Sequence, residues 1–254
     1  MITCKLKGGL GNQMFQIAAT YALARDYNTE CAFDFTGAVK YQGCSALKYT
    51  DSIFRGFTSL PTGWKPKITF KERGMEYRDV MVVDGMALDG YFQDERYFFK
   101  YADEIRRYFR DESITEFLRG YYAGALKNSL SVHVRRGDYL RFADVFHVLD
   151  AEYYMRAIKT VCGSRKIEYI FVMSDDIKWC RENLKDDRIV YVSGHPDHHE
   201  MLLMSMCSHN VISNSTFSWW GAWLGEAKDK TIVAPDRWLK NIPNQIIPER
   251  WVRL

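Results

Sequence analysis

Short apolar runs, each followed by a polar cluster and then by apolar residues at helical spacing, recur along most of this chain. The first is Ile2-Thr3-Cys4-Lys5-Leu6, a strand pattern. It passes through Lys7-Gly8-Gly9-Leu10-Gly11-Asn12-Gln13 into a helical pattern from Met14 to about Arg25, with Phe15, Ala18, Ala19, Ala22 and Leu23 on one side. Ala32-Phe33-Asp34-Phe35 reads as a second strand. Residues 37–80 mix glycines, prolines and aromatics without a period, which predicts loops and short helices. Residues 81–84 and 87–92 predict strand pieces, and a helix with inward-packed rings follows from about Gln93 through Phe109. Tyr91 and Phe92 are read as packing residues, with sugar stacking as the alternative. Residues 113–126 predict another helix, Ser113 and Glu116 being spaced as a capping box.

After Lys127-Asn128-Ser129 the alternation restarts, which places a domain boundary near residue 127, between 1–127 and 128–254. Ser131-Val132-His133-Val134 is a strand pattern that runs into Arg135-Arg136-Gly137-Asp138. A helix over 151–162 leads to a buried-strand signal over 167–173, which ends at Ser174-Asp175-Asp176. A helix through Leu184, a strand over 188–192 and a helix over 200–207 follow. A strand over 210–213 then enters Asn214-Ser215-Thr216-Phe217-Ser218, and a helix over 219–227 precedes a last strand over 231–235. Such alternation predicts a parallel sheet with helices on its faces.

In open α/β sheets, ligands gather beyond the carboxyl ends of the strands. Three of the predicted ends carry polar clusters, and their coincidence at one edge says more than any one of them alone. Paired arginines where a glycine turns the backbone form a plausible anion receptor, and guanidinium forks match phosphate oxygens two at a time. Hydroxyls at the start of a helix, with its free N–H groups, suit phosphate oxygens. The aspartates could accept from guanine N–H groups or a ribose hydroxyl, or could cap the helix that follows them. A solvated charge pair is the bland alternative for the arginines. The turn near residue 10 reads G-G-x-G-N-Q, not the dinucleotide fingerprint G-x-G-x-x-G. It could bring backbone N–H groups and the Asn12 amide to a ligand, or be glycine-rich for steric reasons only. Together the three strand ends of the second half describe a pocket for a nucleoside diphosphate.

Composition narrows the partners. The 254 residues are 47% hydrophobic and 15% aromatic, enough for one large core or two. With 35 basic and 32 acidic residues the formal charge is +3, and no long basic run points to nucleic acid. That small excess suits an anionic small molecule, or loose attachment to an anionic membrane surface. The six cysteines, with no C-x-x-C pair, read as free thiols of a reducing compartment. Met1 leads directly into a strand pattern and no long apolar run occurs, so the expected location is cytoplasmic. His195, His198, His199 and Glu200 invite a metal reading. No further ligand motif converges on them, and Asp197 suits a helix cap, so no metal is assigned there.

Four blocks resemble the signature motifs of the bacterial α-1,2-fucosyltransferases of glycosyltransferase family 11. They are Gly8-Gly9-Leu10-Gly11-Asn12-Gln13-Met14-Phe15-Gln16, His133-Val134-Arg135-Arg136-Gly137-Asp138-Tyr139, Phe171-Val172-Met173-Ser174-Asp175-Asp176, and Ser213-Asn214-Ser215-Thr216-Phe217-Ser218-Trp219-Trp220-Gly221-Ala222. The resemblance implies a GT-B-like fold of two Rossmann-like domains facing a central cleft. The first would be the acceptor side and the second would bind GDP-fucose, with the last residues packing back on the first. It implies inverting transfer from GDP-β-L-fucose to the 2-hydroxyl of a terminal β-galactose in a surface glycan such as O-antigen. No metal or other cofactor is expected, and the protein would be cytoplasmic or peripheral at the inner membrane surface. Among site residues it implies catalytic roles for Arg135, Arg136 and Asp138, the last as brace or base, with Asp144 and His147 as lesser base candidates. Gly11 and Asn12 would meet the donor phosphate, His133, Asp175 and Asp176 the guanosine end, and Asn214, Ser215, Thr216 and Ser218 the diphosphate. A transferase of another GDP-6-deoxyhexose, or a non-catalytic sugar-nucleotide or glycan binder, is the alternative, and the intact arginine pair speaks against the binder.

Overall fold

The computed structural model describes residues 1–37, 43–240 and 245–254. The chain divides into two compact units, Met1–Asp111 and Glu112–Leu254.

In the first unit, β1 (Ile2–Lys5), β2 (Cys31–Asp34), β3 (Ile68–Lys71) and β4 (Met86–Asp89) form a parallel sheet in the order β2-β1-β4-β3. Helix α1 (Leu10–Asp26) is buried along most of its length. Its two glutamines explain much of the glycine-rich block. Gln16 bonds both backbone groups of Lys7, and Gln13 donates to the carbonyls of Gly8 and Cys44. Gly8 has φ +83°, and a Cβ there would sit 2.6 Å from Asn12 Nδ2, so glycine is required.

Local sequence misleads at three places in this unit. β3 lies inside the stretch expected to be irregular, because a mostly exposed edge strand shows no apolar alternation; residues 38–42 of that stretch lie outside the described residues. The expected strand at 81–84 is a loop, where Asp84 pairs with the N-terminal ammonium and with Lys67 instead. The helix expected from Gln93 is confined to α2 (Ala102–Tyr108), preceded by two 3₁₀ turns. Asp94 accepts from the Arg96 N–H at 2.9 Å and pairs with its guanidinium, which holds the first of those turns.

The second unit holds a six-stranded parallel sheet in the order β10-β9-β8-β5-β6-β7. Its strands are β5 (Ser129–Val134), β6 (Tyr169–Ser174), β7 (Ile189–Tyr191), β8 (His209–Val211), β9 (Ile232–Ala234) and β10 (Val252–Arg253). Its helices are α3 (Glu112–Tyr121), α4 (Ala151–Cys162), α5 (Ile177–Asn183), α6 (Asp197–Met206) and α7 (Thr216–Leu224). The boundary therefore falls at 111/112, not near 127. α3 packs on α6, with Phe117 about 6.1 Å from the rings of both His195 and His199, so it belongs to the second unit. The last residues extend the second sheet: β10 pairs with β9, and Leu254 donates to the Ala234 carbonyl.

Alternation in β5 sorts the two faces of this sheet. Leu130, Val132 and Val134 join Tyr154, Ile158, Val172 and Cys180 in an apolar core that includes residues of α4 and α5. Ser131 and His133 take the other face and find polar partners there, Asn210 and Ser213. Trp219, Trp220 and Trp223 of α7 are fully buried, and Gly221 lets α7 approach Met204 of α6, whose Sδ would lie 2.8 Å from an added Cβ. Much of the tryptophan-rich block is therefore core.

Candidate functional site

The strand order of the second unit fixes where a ligand can enter. From β5 the chain moves outward to β6 and β7, then returns to lay β8 on the other side of β5. Connections to either side of β5 leave on opposite faces, which opens a crevice at its carboxyl end. Arg135 and Arg136 follow that end directly.

Both guanidinium groups are held in place. Arg135 Nη2 donates to Asp138 Oδ2 at 2.8 Å, and Nη1 lies 3.3 Å from Asp175 Oδ2. Asp175 Oδ1 accepts the backbone N–H of Arg136 at 2.9 Å, so one carboxylate ties the ends of β5 and β6 together. Gly137 makes room for it: a Cβ there would meet Asp175 Oδ2 at 2.8 Å. Arg136 lies over Trp179 of α5, its guanidinium carbon 4.0 Å from the ring centroid, with Asp176 Oδ2 3.5 Å from Nε. Burial alone would lower the Arg135 pKa, but Asp175 and Asp138 raise it, so the group stays cationic. Each guanidinium carries five N–H donors, and these partners leave several for a ligand.

The second polar strand end, at Asp175 and Asp176, thus serves the arginines and α5. Asp176 also accepts the Trp179 N–H at 3.0 Å as the cap of α5, which realises the capping alternative. The third end lies beside β5. His133 is buried, accepts or donates at Nδ1 to Ser213 Oγ (3.0 Å) and lies over Phe217. Burial, and then the charge of Arg135, push its pKa down to about 3, so the imidazole is neutral at physiological pH. Ser218 bonds Ser213 and the Ser215 carbonyl, and Ser215 precedes α7 without a side-chain capping bond. Thr216 opens α7 and is partly exposed. Asn214 faces inward, its Nδ2 donating to the carbonyls of His147 and Trp238 at 2.9 and 2.8 Å, which clips two loops to the end of β8. Tyr139 adds a clip of its own, donating to the Asn214 carbonyl and stacking on Phe146 at 4.1 Å.

The structure therefore brings together His133, Arg135, Arg136, Asp138, Asp175, Asp176, Asn214, Ser215, Thr216 and Ser218 around the ends of β5, β6 and β8. Gly11 and Asn12 belong to the first unit, in the first turn of α1, where Asn12 Oδ1 accepts from Gln93 Nε2 at 2.8 Å. Asp144 is exposed, and the His147 carbonyl serves Asn214. Sequence reasoning missed Trp179, whose partner lies 43 residues away; a tryptophan one turn after a strand-end aspartate is its only local signal. Among the described residues no three His, Cys, Asp or Glu side chains converge as a metal site, and His195 Nε2 instead lies 2.9 Å from the Tyr122 hydroxyl. No helix among them is long and apolar enough to cross a membrane.

Two parallel α/β units, one presenting braced guanidinium groups at its topological switch point, define a Rossmann-like protein whose second sheet ends in chemistry suited to an anion. The chain belongs to glycosyl transferase family 11, whose family model matches residues 85–247, and it is a glycosyltransferase. It is 30% identical to the O-antigen biosynthesis glycosyltransferase WbnK of Escherichia coli, over 100% of both chains. It is 29% identical to an alpha-1,2-colitosyltransferase of Escherichia coli, over 100% of this chain and 99% of the other. To galactoside alpha-(1,2)-fucosyltransferase 2 of Sus scrofa it is 28% identical, over 96% and 74% respectively. The structure of POFUT1 in complex with GDP superposes with a TM-score of 0.55 at 14% identity, covering 91% of this chain and 97% of that one, which establishes the expected GT-B-like fold.

Proposed function

We propose that the protein transfers L-fucose from GDP-β-L-fucose to the 2-hydroxyl of a terminal β-galactose in a surface glycan such as O-antigen, with inversion and without a metal ion. The observation that carries this reading is the arginine pair at the end of β5, held in place by Asp138, Asp175, Asp176 and Trp179. The named activities of the Escherichia coli and Sus scrofa relatives support the sugar, the linkage and the pathway.

The chemistry follows from that geometry. The acceptor hydroxyl attacks the anomeric carbon of the donor while the bond to the β-phosphate oxygen breaks and its electron pair moves onto the phosphate. Negative charge grows on the leaving diphosphate, so fixed guanidinium groups stabilise the transition state more than the ground state. Their carboxylate partners hold them ready, which lowers the cost of reorganisation at the moment of transfer. Asp138 acts as a brace of Arg135, and the hydroxyl proton leaves to water. Asp175 and Asp176, engaged with the arginines and α5, brace as well, which leaves neutral His133 and the hydroxyl cluster near α7 to meet the nucleotide.

The colitosyltransferase relative supports a second reading, transfer of colitose to the same hydroxyl. Both readings meet in one assay, in which GDP-fucose and GDP-colitose are offered in turn with lactose as the β-galactoside and a chelator in excess. The fucose reading expects α-1,2-fucosyl-lactose and stoichiometric GDP. Product from GDP-colitose alone would select the second reading. Loss of transfer with chelator would overturn the metal-free mechanism, and a protein that binds GDP without turnover would be a binding module.

A further inference from the structure

The carboxyl end of the first sheet carries chemistry that the diphosphate reading does not use. β4 ends at Asp89, and Gly90-Tyr91-Phe92 follow. Glu72, just beyond neighbouring β3, accepts the backbone N–H groups of Tyr91 at 2.6 Å and Phe92 at 3.0 Å. A Cβ on Gly90 would lie 2.4 Å from the Glu72 Cβ, so the turn is built around that carboxylate. Phe92 is held at φ +51°, a left-handed conformation unfavourable for a bulky residue, and is fully buried against Phe70 and Tyr97. Packing thus explains Phe92.

It does not explain Tyr91, which the same turn leaves 41% exposed. A lone exposed ring is ordinary on a protein surface. This one has a specific setting. Lys7 Nζ lies 2.6 Å from Asp89 Oδ1 and 5.2 Å from the centroid of the Tyr91 ring. The Lys7 and Asp89 side chains are 40% and 46% exposed, so their ion pair adds little stability. Asn12 and Gln93, bonded through their amides, follow the ends of β1 and β4 at the same edge. Ring, carboxylate, ammonium and amides all gather where parallel sheets collect ligands.

This set of groups matches a neutral sugar. The C–H face of a pyranose can lie on an aromatic ring, while its hydroxyls donate to a carboxylate and accept from an ammonium. A phosphate would meet Asp89 unfavourably. We propose that Tyr91, with the Lys7–Asp89 pair, forms a hexopyranoside-binding platform that seats the galactoside acceptor. The binding stands on the geometry of the first unit; calling that sugar the acceptor rests on the transferase reading.

Saturation-transfer NMR with methyl β-D-galactopyranoside, on the intact protein saturated with GDP, tests the platform. Transfer should be strongest to the pyranose C–H protons. Tyr91→Ala should weaken binding about tenfold, Tyr91→Phe should keep it within about threefold, and Asp89→Asn should weaken it several-fold. In the transfer assay, Tyr91→Ala should raise the galactoside KM and leave the donor KM unchanged. Tyr121→Ala, at an exposed ring of the second unit, should change neither. Undiminished binding in Tyr91→Ala, a loss carried by Tyr121→Ala, or no transfer to the galactoside in the wild type would overturn the proposal. GDP binding, measured separately by calorimetry, distinguishes failure of the nucleotide reading: its absence would leave a Tyr91-dependent galactoside signal standing.

Discussion

The two sheets end in contrasting chemistry on the same βα framework. At the carboxyl edge of the second, two guanidinium groups are 30% and 14% exposed and are fixed by three carboxylates and a tryptophan ring. At the edge of the first, one half-exposed Lys–Asp pair, a tyrosine ring and an amide pair take their place. Positional accuracy is built at the second edge and not at the first. In the proposed reaction these charges would meet a developing anion, and a small displacement of such a group costs rate steeply, which fits their bracing from several sides. Groups that would hold a neutral sugar need only present a surface.

Substitutions should separate the two edges, with the largest effect at the arginines. Arg135→Lys should lower kcat/KM by about a hundredfold or more with the fold intact, because an ammonium cannot reproduce the bidentate fork. Steady-state kinetics beside a thermal melt would read it, and near-normal turnover would break the contrast. Gly137→Ala should follow, at roughly ten- to a hundredfold, since its Cβ displaces Asp175 without removing a charge. Trp179→Ala should cost roughly three- to thirtyfold, seen first as a higher donor KM, while Trp179→Phe keeps most of the activity.

The smallest effect concerns pH. His133 in the fold takes up a proton only near pH 3, against 6.5 for an ordinary imidazole. Between those values the unfolded chain holds a proton that the folded chain does not, so this group makes stability rise with pH across that window and fall on acidification. His133→Asn lacks that dependence. Its stability deficit against the wild type, read by urea unfolding at pH 6.5 and 5, should therefore shrink on acidification, by at most about 1.4 kcal/mol per pH unit. A constant deficit would mean that His133 protonates in the folded state.

Much of this contrast was legible in the residues themselves. The Ser131-Val132-His133-Val134 alternation, the polar strand ends and the restart of the βα rhythm foretold the second sheet and the convergence of three clusters at one edge. What local pattern could not show were contacts between distant segments. Trp179 gains its meaning only from Arg136, and Asp175 from the arginines and glycine that follow the neighbouring strand. α3 carries an apolar stripe that fits either unit, and only its packing on α6 assigns it to the second. β3 was hidden because an exposed edge strand has no buried face to mark its period. Phe92 and Tyr91 looked alike in sequence, and a single positive φ sends one inward and leaves the other at the surface.

In the proposed reaction fixed arginines, and no metal ion, receive the diphosphate. Calorimetric titration of GDP into the wild type and into Arg135→Lys/Arg136→Lys, each with excess chelator, tests it most directly. The wild type should bind GDP unimpaired in chelator, and the double variant should lose at least about a hundredfold in affinity. Binding that vanishes with chelator, or that survives in the double variant, would contradict it.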